Sequence, residues 1–489
     1  MVKASPQTAT PSGPSGTGRG PELIVLLSVQ AMASMADALV TVSAPTIQSS
    51  LHVSGAALQL IASGFVLAYA VVLMTGARLG DYGHRRLFLS GLTVFTAAAA
   101  LSGAAPAGWA LVAGQVLQGF GAALMVPQVL SLIQLRFSGL ARSRALALYS
   151  MVLAAGVAAG QLLGGLLITT NLFGLTWRLM FLIQVPAGAA ALIAARFTLP
   201  ATRAEVRRPL DIPGVLILSV ALLATVVPLT FGNSEHWPAW TVITLVAGVA
   251  GLTAFIGLQR AAAARGGHPL LDVRAVVPAG VKSGLLVVFL VMGGYGALLF
   301  TIALHLQEGY GYTPLRSGLT FATYAAGFAG VNLTWSRLPQ RLHPVVPAGG
   351  LTILAAAEAA LAIAVRTGWT YAIAGPLLLA AGAGHGAGFG ALVPQITARI
   401  RATHIPTLSG LITTITQLGI AAGIATLGGL YLAIAHTGRP VTSTSDHAMS
   451  AVALILAIAS TAAAGLALHV TISSRTQRQA APLTTAAKR

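Results

Sequence analysis

Residues Arg78–Val94 read RLGDYGHRRLFLSGLTV, and residues Arg337–Ile353 read RLPQRLHPVVPAGGLTI. Aligned without a gap, the two stretches share Arg, Leu, His, Gly, Leu and Thr at the same spacing. A second pair, GFGAALMVPQ at Gly119–Gln128 and GFGALVPQ at Gly388–Gln395, follows each of them. Either match alone carries little weight in a chain rich in Ala and Gly. Both, however, set the second copy eight apolar segments after the first, and a shared shift describes a duplicated unit.

The segments between these motifs define the class of molecule. The chain has 489 residues, of which 56% are hydrophobic and 8% charged, with a mean hydropathy of +0.82. No set of soluble domains has that balance. Windows of about 20 mostly apolar residues, the length that crosses a bilayer, fall near 22–44, 55–76, 87–106, 108–133, 145–170, 178–199, 212–231, 239–259, 283–306, 315–336, 345–366, 370–397, 408–435 and 449–473. With the N-terminus inside, all but four of the 28 Lys and Arg residues fall on the cytoplasmic side, the four being Arg178, Arg316, Arg366 and Arg439. That is the asymmetry expected of a correctly counted set of spans, and it places both termini in the cytoplasm.

The expected fold is therefore an all-α polytopic membrane protein with fourteen transmembrane helices. Two pseudo-symmetric six-helix bundles, 22–199 and 283–473, flank a linker, 200–282, that carries inserted helices 7 and 8. Residues 1–21 and 474–489 are expected as cytoplasmic tails, the first disordered because it is rich in Pro, Gly, Ser and Thr and has no apolar core of a signal peptide. The net charge of +18 is scattered between spans and forms no dense block, so no nucleic-acid partner is expected. Cys is absent, which excludes disulfides, thiolate metal sites and cysteine nucleophiles.

Several segments carry a family resemblance. GARLGDYGHRRLFL, Gly76–Leu89, resembles the loop between spans 2 and 3 of the major facilitator superfamily, with Arg78, Asp81, Arg85 and Arg86 as the charged clasp of a cytoplasmic gating loop. Its Asp-to-Gly spacing is one residue short of the family's form. ALVAGQVLQGFGAALMVP, Ala110–Pro127, looks like the family's span 4, except that Gln115 stands where the family carries an Arg associated with proton coupling. GVAAGQLLGG, Gly156–Gly165, is similar to the exporters' span-5 signature, with Gln161 in place of its Pro. Its Gly156, Gly160 and Gly164, with Gly165 beside them, allow close helix approach; the expected partner is span 10, through Ala326 and Gly330. WRLMFLIQVPAG, Trp177–Gly188, resembles the opening of span 6 in the fourteen-span drug:proton antiporter branch. The resemblance runs from about residue 22 to 473 and implies the major facilitator fold.

Within the spans, acidic residues are rare. In VQAMASMADALVTVSAPTI, Val29–Ile47, a single carboxylate, Asp37, lies among apolar and small residues. Such a group faces a cavity or a partner and marks a pathway. Gln30, Ser34, Asp37 and Thr41 share one helix face by their spacing. Asp37 is the expected proton-coupling site, with Glu358 and His385 as further candidates for proton coupling, Glu358 alternatively facing the lumen near a helix end and His385 alternatively a neutral, hydrogen-bonded side chain. Gln115, Gln118, Gln161, Thr413 and Gln417, with Gln30, Ser34 and Thr41, are expected to line a substrate cavity. Apolar walls with few hydrogen-bonding groups suit amphipathic, neutral or cationic molecules.

The expected function is proton-coupled secondary active export of such small molecules, as in multidrug or antibiotic efflux, by alternating access. An uptake symporter or uncoupled facilitator, and a non-transporting ligand sensor, are the alternatives. No nucleophile–base pair or metal cluster appears in the spans, so no enzyme, catalytic residue, metal or cofactor is expected. The expected partners are the substrate, protons and the lipid bilayer, for a monomer in the cell (inner, cytoplasmic) membrane.

Overall fold

The structure, a computed structural model, describes residues 20–200, 211–232, 237–267, 270, 276–278, 280–400, 405–435 and 441–486. The side chains of Asp37 and Asp81 lie outside the described residues, as do residues 1–19 of the expected tail and 201–210 of the linker.

Among the described residues, fourteen long helices follow one another: α1 (Gly20–Leu51), α2 (Gly55–Leu79), α3 (His84–Gly103), α4 (Gly108–Arg136), α5 (Gly139–Thr170), α6 (Arg178–Thr198), α7 (Ile212–Gly232), α8 (Ala239–Ala264), α9 (Val281–Gly309), α10 (Pro314–Thr334), α11 (Val346–Arg366), α12 (Tyr371–Thr397), α13 (Leu408–Ala435) and α14 (Val441–Ala486). Thirteen of them are long and apolar enough to cross a membrane; α10, with Arg316 in its first turn, is the more polar fourteenth. Helix α14 runs to Ala486, past the expected end of its span at 473.

Local chemistry sets the helix ends. Ser54 caps α2 by accepting from the Ala57 N–H at 3.2 Å, and Thr313 caps α10 by accepting from the Arg316 N–H at 3.3 Å, with Pro314 preset for the first turn. Between α2 and α3 the chain reverses at Gly83, whose φ of 140° suits a residue without a side chain.

The face that carries the start of α1 and the α2–α3 turn is termed the near face here; the α1–α2 turn lies on the far face. Helices α1 to α6 form one half and α9 to α14 the other. The halves meet reciprocally: α2 packs on α13 and α10, the second helix of its half, packs on α5. Helices α7 and α8 pair with each other, and α7 lies over the α2–α13 seam, where Leu218, Leu222 and Phe255 bury against Met74.

The repeats meet each other within each half. Gly91 of α3 and Gly350 of α11 both sit against a glycine-rich stretch of the following helix: a Cβ on Gly91 would lie 2.8 Å from the Gly121 carbonyl oxygen, and one on Gly350 2.8 Å from that of Gly384. The second motif match holds for the helices but not for the register. Gly119 and Gly121 meet Phe65 and Phe95, whereas the residues in the same relation to Tyr324 and Leu354 are Gly382 and Gly384, not Gly388 and Gly390. Measured from the equivalent Gly91 and Gly350 contacts, α11 continues about one turn further toward the far face than α3 does; that turn does not account for the motif, since Gly382 precedes Gly388 by six residues.

Candidate functional site at the contact of the two halves

Gly156, Gly160 and Gly164 of α5 pack on α1, not on α10 as expected. A Cβ on Gly156 would stand 2.8 Å from the Ser34 Cβ, one on Gly160 2.8 Å from the Ala38 Cβ and the Met35 carbonyl oxygen, and one on Gly164 2.6 Å from Val42 Cγ1. The reason is geometric: Ala31, Ser34 and Ala38 give α1 a small face of its own, so the two backbones close up. Only the next face of α5 reaches the other half, where Gly165 meets Pro314 and the Gln161 carbonyl meets Gly318. Gly330, the expected partner on α10, has nothing within 4 Å of its Cβ position.

Thr41 continues the α1 stripe into a narrow cleft of about 10 Å³ between the halves, lined also by Ala38, Val157 of α5, Tyr295 and Leu299 of α9, and Ile420 of α13. Asp37 holds the register position one turn before Thr41. Gln30 is buried, donates to Ser34 Oγ at 3.3 Å and keeps an unpartnered Oε1. Gln161 is buried with an unpartnered Nε2, Gln417 is buried on α13, and Thr413 bonds back to the Ser409 carbonyl.

Gln115 and Gln118 behave differently. Gln115 donates to Gln118 at 3.5 Å, Gln118 donates to Gln184 of α6 at 2.8 Å, and Gln184 donates to the Met180 carbonyl at 2.9 Å. All three are buried. This amide chain ties α4 to α6 inside the first half, and the structure does not bring it to the cleft.

Glu358 and His385 are brought into one neighbourhood. The Tyr324 hydroxyl of α10 and His385 Nδ1 of α12 are 2.6 Å apart, and Tyr295 stacks on Tyr324 with ring centroids 6.1 Å apart. Phe328 meets the His385 ring edge-on at 4.9 Å. Glu358 of α11 lies near Ser460 of α14 and acts electrostatically on Tyr324. Both Glu358 Oε2 and His385 Nε2 are buried without a partner. Such orphaned polar atoms in a membrane interior are costly and mark a place where a proton or a polar ligand group can be accommodated. Tyr295 links this cluster to the cleft.

At the near face the α2–α3 turn engages its surroundings. His84 Nδ1 lies 2.7 Å from Gln128 Oε1, and Gln128 Nε2 donates to the Gly76 carbonyl at 2.9 Å. In the second half Gln395 donates to the His343 carbonyl at 2.7 Å. Arg85 donates to the Arg196 carbonyl at 2.8 Å, Arg86 is exposed, and Arg78 donates to the Leu270 carbonyl at 3.3 Å. Arg78 also acts on Asp211, whose carboxylate caps α7 at Gly214 and accepts from Gln259 of α8 at 2.6 Å.

The halves are joined at the far face. Gln307 of α9 donates to the Val42 carbonyl of α1 at 2.9 Å, the Leu315 N–H donates to Thr169 Oγ1 at 3.1 Å, and Gly55 sits against Leu432. Gln59, its amide oriented by the hydrogen-bond network, accepts from the Gly429 N–H at 2.5 Å and donates to the Thr230 carbonyl at 3.1 Å. Along the α5–α10 seam the named contacts all lie toward this face.

The family model of the Major Facilitator Superfamily matches residues 26–424. The chain belongs to the major facilitator superfamily. Among relatives of this major facilitator, the probable actinorhodin transporter of Streptomyces coelicolor is 32% identical over 90% of this chain and 78% of its own length. The cephamycin export protein of Amycolatopsis lactamdurans is 31% identical over 85% of this chain and 87% of its own. In fold, a bacterial homologue of the human lysosomal transporter Spinster, in an inward-facing and unoccupied conformation, superposes with a TM-score of 0.68 at 17% identity, covering 94% of this chain and 98% of the other. The chain is thus a membrane transport protein of the major facilitator fold and not an enzyme.

Sequence reasoning missed several groups that organise this transporter. Tyr295 and Tyr324 carried no signal as single aromatics in apolar helices. Gln307, at the end of α9, read as a loop residue. Glu22 of α1 receives 2.9 and 3.1 Å bonds from Arg136 of α4, a pair too far apart in sequence to leave a local signal.

Proposed function

We propose that this transporter exports amphipathic, neutral or cationic small molecules in exchange for protons, from the cytoplasm across the cell membrane. The near face, where the sequence concentrates Arg, is then cytoplasmic, and the far-face joint is the closed external gate. The reading rests on one arrangement: the cleft between the halves is lined by Thr41, one turn from the lone acid Asp37, and by Tyr295, which leads to Glu358 and His385. A carboxylate whose surroundings change between two arrangements of the halves can take a proton on one side and release it on the other. The relatives named for actinorhodin transport and cephamycin export support an outward direction and an organic cargo.

A facilitator without proton coupling is the second reading, favoured by Gln115, which replaces the family's Arg and is held inside the first half. The two separate in liposomes with an imposed pH gradient. Addition of cationic drugs is expected to evoke proton flux that disappears in Asp37→Asn. Flux that persists in that variant removes Asp37 from the mechanism, and cargo movement indifferent to pH selects the facilitator.

A further inference from the structure

At the far end of the second half lies a second polar cluster that no expectation touched. The last turn of α9, His305–Gly309, is a π-turn, a local departure that often marks functional positions. His305 is fully buried there. Its Nδ1 lies 2.7 Å from Ser445 Oγ at the start of α14, and Ser445 Oγ lies 2.7 Å from the Tyr431 hydroxyl of α13. The ring is held edge-on between Tyr310 and Trp369, with centroids at 5.2 and 5.3 Å. Its Nε2 has no hydrogen-bond partner, and the nearest acid, Asp446 Oδ1, stands 4.0 Å away. That oxygen accepts from the Tyr310 hydroxyl at 2.9 Å, which in turn accepts from the Trp369 N–H at 2.6 Å.

A separation of 4.0 Å is too long for a hydrogen bond and short enough to become one with about 1 Å of movement. We propose that His305 and Asp446 form a second proton-binding site, whose loading draws the two side chains together and loosens the joint between the halves at the far face. The connection to that joint is direct. Ser445 couples the site to Tyr431, one residue before Leu432, against which Gly55 of the first half packs. Helix α13 has its own π-turn at Ile424–Gly428, beside Gln59. On the other side, Gln307 follows His305 by two residues and makes the cross-half bond to Val42. Moving Asp446 toward the ring displaces both attachments.

Among the described residues the charged and titratable neighbours are few. From α14 they are Asp446 and His447, which acts on Asp446; from α13, Tyr431, on which Glu308 and Asp446 both act; from α9, Glu308 itself; and from the following connection, Tyr310. Burial first, then Asp446, hold the Tyr310 phenol above its ordinary value. Tyr310 therefore remains a donor to Asp446 throughout the physiological range, and the carboxylate stays available to a cationic ring. Next to the site in sequence, Gln307 and Glu308 line an open cavity of about 480 Å³ at the far face with Thr46, Gln48, Ser49 and Tyr312.

The proposal depends on the exporter reading only for which side of the membrane supplies the proton. Its test uses the natural lack of cysteine. In the full-length protein in nanodiscs, a Thr46→Cys reporter, half-buried in the joint, is labelled with a polar thiol reagent, and its rate is divided by that of an exposed Ser49→Cys reporter to cancel thiol ionisation. The ratio is expected to rise at least threefold between pH 8 and pH 5.5. His305→Gln and Asp446→Asn are each expected to flatten that rise, and Asp446→Glu to retain it, which shows that the fold survives substitution there. A flat ratio in the parent, or an unchanged rise in both His305→Gln and Asp446→Asn, overturns the proposal. Asp37→Asn is expected to leave the rise intact, so failure of this site and failure of the coupling at Asp37 give different results.

Discussion

Gln307 of α9 donates its side-chain N–H to the carbonyl of Val42 of α1, 2.9 Å across the boundary between the two halves. The bond falls in the turn of α1 loosened by Pro45, which cannot donate to the Thr41 carbonyl. Like the Thr169–Leu315 and Gln59–Gly429 contacts, it is uncharged. Neutral bonds of this type contribute about 1 kcal/mol each, so the joint is strong enough to choose a conformation and weak enough to be broken in a transport cycle.

Gln307→Leu is accordingly expected to raise the population opened at the far face about fivefold, since ~1 kcal/mol is a factor of about 5. Distances between spin labels on the far ends of α1 and α9 measure it. An unchanged distance distribution would mean the bond is incidental to closure.

Gly160→Ala is expected to cost about 1–3 kcal/mol, because the added methyl meets the Ala38 Cβ and the Met35 carbonyl oxygen at 2.8 Å and must push α1 from α5. Gly257→Ala on α8, where nothing lies within 4 Å, serves as the control and is expected to be neutral. Thermal unfolding in detergent compares them; equal melting temperatures would show that α1 and α5 are not in backbone contact.

Gln118→Leu removes the centre of the amide chain and leaves Gln115 and Gln184 without their partner inside the first half. Unpaired buried amides cost about 1–3 kcal/mol. The expected outcome is lower thermal stability with unchanged drug affinity. A loss of affinity at unchanged stability would instead place Gln118 in the cargo cavity.

Asp211 supplies a pH dependence whose sign follows from its surroundings. Burial raises its carboxyl, but the bonds from Gln259, Gly214 and Leu270 and the charge of Arg78 together outweigh it, and the net value lies below the ordinary one. Its contribution to holding α7 and α8 is therefore complete above the usual carboxylate value of about 4 and is lost as pH falls through the lower folded value. Asp211→Asn is expected to speed hydrogen exchange of the Gly214 and Val215 amides at pH 7. Parent and variant should converge in acid. Identical exchange at neutral pH would dismiss the carboxylate as an anchor.

The number of spans, the two halves and the inserted pair were legible because hydrophobic length, Arg placement and a repeated loop each constrain them independently. What the sequence left open is partner choice. The glycines of α5 announce a close approach, but α1 and α10 both offer small residues, and only the three-dimensional packing selects Ala31, Ser34 and Ala38 over Ala326 and Gly330. For the same reason Gln115 and Gln118 read as cavity residues: a buried amide satisfied by a neighbouring amide and one waiting for cargo look alike in one dimension. His305 was invisible because its partners, Ser445 and Asp446, lie far along the chain.

The six-residue displacement of the α12 motif from its packing position sets a rule for anyone who would rebuild this molecule from its parts. A chimera that grafts α4 in place of α12 must be spliced with Gly119 at Gly382, not at the look-alike Gly388; cut at the motif, every side chain of the transplanted segment would arrive at the wrong height.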